Sequence, residues 1–208
     1  MIGIFGGTFD PVHFGHLRPV WEVRERLGVR DMRLLPAGQP PLRDNAVTPA
    51  HHRVEMLRLA TAALPGLGID LREVQRPGPS WMVDTLQEIR SEAGDRPVVL
   101  IVGRDSAASL DQWHQWERLI ELAHIAVMRR PGAVSELSAE LAEFYATHTV
   151  TDVGALAACS HGRVCEIEVT QLEISSSRIR ELVRLGRSPR FLAPGAVVDY
   201  ISEHGLYR

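Results

Sequence analysis

Residues 2–16, IGIFGGTFDPVHFGH, pass from a short apolar run through two glycines, a hydroxyl, an acid and a proline to two histidines three apart. IGIF has the length and composition of a buried strand. Gly6 and Gly7 then let the backbone approach a ligand with no Cβ in the way, and Thr8 adds one hydroxyl and one N–H. Pro11 fixes a turn, and a helix is expected to begin near His13, with its dipole and free N–H groups facing the space beyond the strand. His13 and His16 share one face of that first turn, where imidazoles can donate hydrogen bonds to phosphate oxygens as negative charge builds. A metal reading has only Asp10 as a third ligand and completes no zinc set, so no protein-held metal is expected. The string is neither GxGxxG nor GxxxxGK[ST].

The remaining chain repeats this strand-then-helix pattern. Strands are expected at 32–36 (MRLLP), 69–74 (IDLREV), 98–103 (VVLIVG), 124–128 (HIAVM) and 164–170 (VCEIEVT). Amphipathic helical stretches lie between them, one capped by Thr48 with Pro49 at its first position. The fold class that follows is α/β, a doubly wound parallel sheet with ligands at the carboxyl ends of the strands. From about residue 175 the pattern is purely helical, with SSRIRELVRLG and then PGAVVDYISEHG, and residues 1–208 read as a single domain. Residues 135–163 have poor periodicity. Trp113 and Trp116, three apart, are expected on one helix face.

With 45% hydrophobic and 24% charged residues, the 208-residue chain is expected to build a globular core. Its formal charge of −3 gives no basic field for nucleic acid. Cys159 and Cys165 are too few for a disulfide framework, and no run is long and apolar enough for a membrane span or signal segment, so a cytoplasmic protein is expected. No GxSxG elbow or Cys–His pair offers a nucleophile. In ISSSRIR (174–180), Ser175 to Ser177 can cap a helix and bond phosphates, with Arg178 and Arg180 following.

GGTFDPVHFGH resembles the signature of the nucleotidylyltransferase superfamily, its HxGH core falling on His13, Gly15 and His16, and ISSSRIR resembles a second element of that superfamily. LLPAGQPP (34–41), RPGPSWMVDTL (76–86), IVGRDS (101–106), WHQWERL (113–119), MRRPG (128–132) and FLAPGAVVDYISEHGLYR (191–208) are similar in order and spacing to the bacterial nicotinate mononucleotide adenylyltransferases. The resemblance implies a Rossmann-like nucleotidyltransferase fold and adenylyl transfer from ATP to nicotinate mononucleotide, in NAD biosynthesis. It implies catalytic roles for His13, His16 and Arg180. ATP would be held by Gly6, Gly7, Thr8, Phe9 and His16, by Gly103 and Asp105, and by Ser176 and Arg180. The mononucleotide would meet Arg43, Thr85, Trp113, which stacks on the pyridine ring, His114 and Arg130. Mg²⁺ would arrive with ATP, small molecules would be the partners, and a homo-oligomer is compatible with the pattern. The chain departs from the family at Leu42 and Arg43, where a His-Lys pair is usual, and at Trp81 and Met82, where Tyr-Thr is usual.

Overall fold

The computed structural model describes residues 1–40, 48–129, 137–170 and 172–208. Among these, strands β1 (Ile2–Gly7), β2 (Asp31–Pro36), β3 (Leu67–Ile69), β4 (Val98–Gly103), β5 (His124–Arg129) and β6 (Val164–Glu168) form one sheet in the order β3-β2-β1-β4-β5-β6. All pairings are parallel. The helices are α1 (Phe14–Arg26), α2 (Ala50–Thr61), α3 (Arg72–Gln75), α4 (Met82–Ala93), α5 (Arg104–Ala108), α6 (Leu119–Leu122), α7 (Ala139–His148), α8 (Ser176–Arg184) and α9 (Gly195–Glu203). Connections from β1 lead one way, to β2 and β3, and the chain then returns to add β4 on the other side. The crevice above the β1/β4 pair is therefore the switch point at which such sheets bind ligands.

The uninterrupted apolar run of β4 reflects burial on both faces. Val99 and Ile101 enter one cluster with Val20 of α1 and Met56 of α2, while Val98, Leu100 and Val102 enter the other with Val83, Leu86 and Ile89 of α4. The C-terminal helices complete the first layer, since Ile179 of α8 and Val197, Val198 and Ile201 of α9 lie in that cluster.

Four local readings need correction. The stretch at 69–74 is not one strand: Asp70 turns the chain by accepting from the Arg72 N–H at 3.1 Å, so β3 ends at Ile69 and α3 follows. Pro49, not Thr48, is the N-cap of α2, because the Thr48 backbone is bonded to Asp10 and Arg53. Trp113 and Trp116 do not share a helix, since Gln115 between them is left-handed (φ 51°) and splits the segment into two 3₁₀ turns. Residues 139–148, without periodic signal, form α7, started by the Ser138 hydroxyl accepting from Leu141 N–H.

Ile179 is fully buried and is the one buried residue of α8. Ile179→Ala is expected to cost about 2–5 kcal/mol. Urea unfolding followed by far-UV circular dichroism measures it, and a loss below 1 kcal/mol would mean that α8 is not anchored in the shared core.

Candidate active site

A cavity of about 740 Å³ opens over the carboxyl ends of β1 and β4, within the size range of ligand sites. Of the sequence-predicted residues, Gly6, Gly7, Thr8, Phe9, His16, Gly103, Asp105, Trp113, His114 and Ser176 line it. His13, Thr85 and Arg180 stand behind the wall. Arg43 and Arg130 lie outside the described residues, as do Pro41 and Leu42.

The small residues are dictated by contact. A Cβ on Gly6 would come within 2.8 Å of the Met82 methyl, and one on Gly15 within 2.9 Å of His13 Nδ1 and 3.0 Å of the Ile174 carbonyl. Gly15 thus separates the two histidines because only hydrogen fits there. The His13 and His16 rings stack with centroids 3.7 Å apart and 24° between planes. His16 faces the cavity, while His13, 4% exposed, lies beneath it with a buried Nδ1 that makes no hydrogen bond. Burial pushes the His13 imidazole down to about 4, so at neutral pH it carries no charge.

The start of α1 is less open than the sequence suggests. The Phe14 N–H donates to the Leu192 carbonyl at 3.0 Å and the His16 N–H to the His13 carbonyl at 2.9 Å, so these donors are already used. In ISSSRIR, the Ser175 hydroxyl caps α8 by accepting from Arg178 N–H. Ser176 Oγ donates to the Pro11 carbonyl at 3.0 Å, and Arg180 Nη1 to the Asp10 carbonyl at 2.7 Å. Both side chains grip the loop that precedes α1. Gly103 is the N-cap of α5, and Asp105 lies in its first turn.

The aromatic part of the wall holds Trp81, Trp113 and His114, with Trp81 and His114 4.7 Å apart. Next to it lies Glu73, 3% exposed, whose carboxyl is pushed up by burial although hydroxyls and Arg76 act the other way. Its Oε1 accepts from the Thr85 hydroxyl at 2.8 Å, and Thr85 Oγ1 in turn accepts from Arg76 Nη2. Ser80 Oγ accepts from the Gly38 and Gln39 N–H groups. Sequence reasoning missed Glu73 and Ser80 as wall residues, Glu73 because it fell within an expected strand. Among the described residues no three His, Cys, Asp or Glu converge on a metal position. Asp10, the third ligand considered, is occupied by Tyr207 and Thr48. Among the remaining histidines, buried His124 bridges the Cys159 carbonyl and the Arg163 N–H, His52 bonds the Tyr200 hydroxyl, and His148, His161 and His204 bond the Gly162 carbonyl, the Ser160 hydroxyl and the Tyr200 carbonyl.

A cytidylyltransferase-like family model matches residues 4–182. The chain belongs to the cytidylyltransferase-like family. It is 49% identical to a protein of Methylococcus capsulatus named "Probable nicotinate-nucleotide adenylyltransferase", over 100% of this chain and 99% of that one. A protein of the same name from Aeromonas hydrophila subsp. hydrophila is 44% identical, over 100% and 97%. A solved structure titled Plasmodium falciparum nicotinic acid mononucleotide adenylyltransferase complexed with NaAD superposes with a TM-score of 0.74 at 16% identity, over 99% of this chain and 96% of that one, and shares the fold. Within the family the chain stands with the nicotinate-nucleotide adenylyltransferases. Among its described residues no helix is long and apolar enough to cross a membrane.

The depressed His13 pKa has a consequence for stability. The unfolded chain takes up this proton near the usual histidine value of 6.5 and the native state only near 4, so the contribution is complete above 6.5 and lost as pH falls toward 4. Between pH 7 and pH 5 it removes about 2 kcal/mol. Urea unfolding at both pH values should show a drop larger by that amount in the wild type than in His13→Asn, and equal drops would contradict the buried, neutral imidazole.

Proposed function

We propose that the protein joins nicotinate mononucleotide to ATP, giving nicotinate adenine dinucleotide and pyrophosphate. The observation that carries this is one cavity whose wall combines a glycine-rich backbone loop, His16 and Ser176 with a separate aromatic face of Trp81, Trp113 and His114. The first set suits a polyphosphate and the second a flat ring. A phosphate oxygen of the mononucleotide attacks the α-phosphorus of ATP, the new P–O bond forms as the α–β bridge breaks, and pyrophosphate leaves with the electron pair.

His16 donates to the α-phosphate oxygens, where charge grows, and His13 holds the His16 ring from below by stacking. Ser176 and Arg180 exchange part of their grip on the Pro11 and Asp10 carbonyls for the triphosphate. Gly103 and Asp105, at the end of β4, line the adenosine side. Mg²⁺, arriving with ATP, would supply neutralisation of the phosphate charge. Catalysis is positioning and charge stabilisation, with no covalent intermediate on the protein. No nucleic acid or membrane takes part, and the free thiols Cys159 and Cys165 suit a reducing cytoplasm.

His16→Ala should leave the unfolding midpoint nearly unchanged and lower kcat by about a hundredfold, as for a lost transition-state donor. Pyrophosphate release with ATP, Mg²⁺ and nicotinate mononucleotide measures it, and a kcat within threefold of wild type would remove His16 from the chemistry.

The acid and amide forms of the mononucleotide differ in one group. The pyridine carboxylate would be met by backbone N–H donors near Thr85 and His114, the Thr85 N–H itself being taken by the Trp81 carbonyl at 3.3 Å. An amide would set its NH₂ against one of them, leaving a buried donor unpaired and losing a charge-assisted bond. A kcat/KM preference of at least about a hundredfold for the acid follows. Measuring kcat/KM for both mononucleotides at fixed Mg-ATP decides it, and a ratio near one would place the pyridine pocket elsewhere.

A further inference from the structure

Among the described residues the least exposed arginine is Arg53, 1% exposed, on α2. Its fork reaches three carbonyls from three separate segments: Nη1 donates to Thr8 at 2.8 Å, Nε to Thr48 at 2.8 Å and Nη2 to Gly38 at 3.3 Å. The first segment follows β1, the second precedes α2 and the third follows β2. A lysine in its place would bring a point charge with no fixed fork. Asp10 lies close enough for its carboxylate to offset part of the cost of burying the guanidinium.

Asp10 is itself held from the far end of the chain. Its Oδ1 accepts from the Tyr207 hydroxyl at 2.7 Å, and its Oδ2 from the Thr48 N–H at 3.3 Å. Burial first, and the Asp10 charge second, keep the Tyr207 phenol protonated and donating. Tyr207 adopts a left-handed backbone, φ 65°, as does Phe9, φ 50°. Non-glycine residues hold that conformation only where their surroundings impose it.

A trans peptide points its C=O and N–H in opposite directions. The Thr8 carbonyl faces Arg53, so the Phe9 N–H faces away from it. Thr8 and Phe9 line the cavity and Arg53 does not, which turns that N–H toward the cavity. None of the described residues accepts from it.

We infer that Arg53 and Tyr207 are positioning residues, which together hold the Thr8–Phe9–Asp10 backbone so that the Phe9 N–H is aimed at the phosphates of ATP. This rests on the adenylyl-transfer reading for the identity of the ligand. Neither side chain touches the substrate, and neither is supplied by the glycine-histidine motif.

The test uses the full chain with Tyr207→Phe, Arg53→Lys and, as a surface control, Arg208→Ala, whose side chain is exposed and bonds only the Ser202 carbonyl. Calorimetry with a non-hydrolysable ATP analogue and Mg²⁺ gives Kd and stoichiometry, and kinetics give the two KM values. Tyr207→Phe and Arg53→Lys should each weaken the analogue by about tenfold, the worth of one well-aligned hydrogen bond, with stoichiometry unchanged. KM for ATP should rise in parallel and KM for the mononucleotide stay within twofold. Because both act on one loop, the double variant should fall short of the product of the single effects. A merely structural role would lower the binding-competent fraction without altering Kd, and that outcome, or a Kd within twofold of wild type, overturns the inference. If Arg53→Lys does not fold, Tyr207→Phe, which removes one oxygen, decides alone. Wild-type protein that binds the analogue but releases no acceptor-dependent pyrophosphate would refute the adenylyl-transfer reading and leave the Kd comparison standing. Wild-type protein that binds no analogue would refute both.

Discussion

The site depends on a backbone that faces the cavity on one side and must be satisfied on the other. Buried carbonyls without partners are costly, so a loop that turns its N–H groups toward a cavity needs donors behind it. Here those donors are side chains from distant elements: Arg53 for Thr8, Arg180 for Asp10 and Ser176 for Pro11. Glycines at 6 and 15 complete the arrangement by removing Cβ atoms that would meet Met82 or His13. Holding Phe9 at φ 50° costs about 1–2 kcal/mol, which the surrounding bonds offset.

The sheet gives that loop its place. Because β1 is paired with β2 on one side and β4 on the other, the peptide units after Gly7 and Gly103 emerge side by side. The strict alternation of β4 between two apolar layers fixes the register, since a slip of one residue would exchange the layers. Both halves of the cavity are therefore set by the core rather than by loops alone.

Much of this was legible in the sequence because the signals are local. Strand, double glycine, turn and helix follow one another within residues 2–16, and the strand positions of β1, β2, β4, β5 and β6 stand out as apolar runs. Ser175 declares itself as a cap by the three serines that open α8. What stayed hidden was tertiary. Ser80 meets Gly38 across 42 residues, Arg53 meets Thr8 across 45, and Ser176 meets Pro11 across 165. No period or spacing encodes such pairs. Glu73 was masked differently: apolar neighbours made 69–74 look like a strand, and only the bond from Arg72 N–H to Asp70 turns it into a helix beside the cavity. The tryptophan pair misled for the same kind of reason, since spacing of three implies a shared face only if no residue between them is left-handed.

The bond between Asp10 and the Tyr207 hydroxyl spans 197 residues. On a ribosome adding roughly 5–20 residues each second, the loop emerges some ten to forty seconds before its brace. Strand β1 is already made and β2 and β4 follow within that interval and can pair with it, so the nascent chain passes through a stage with most of its sheet and an unfinished loop. Vectorial synthesis thus orders the assembly, with the scaffold of the sheet first and the brace of the loop last.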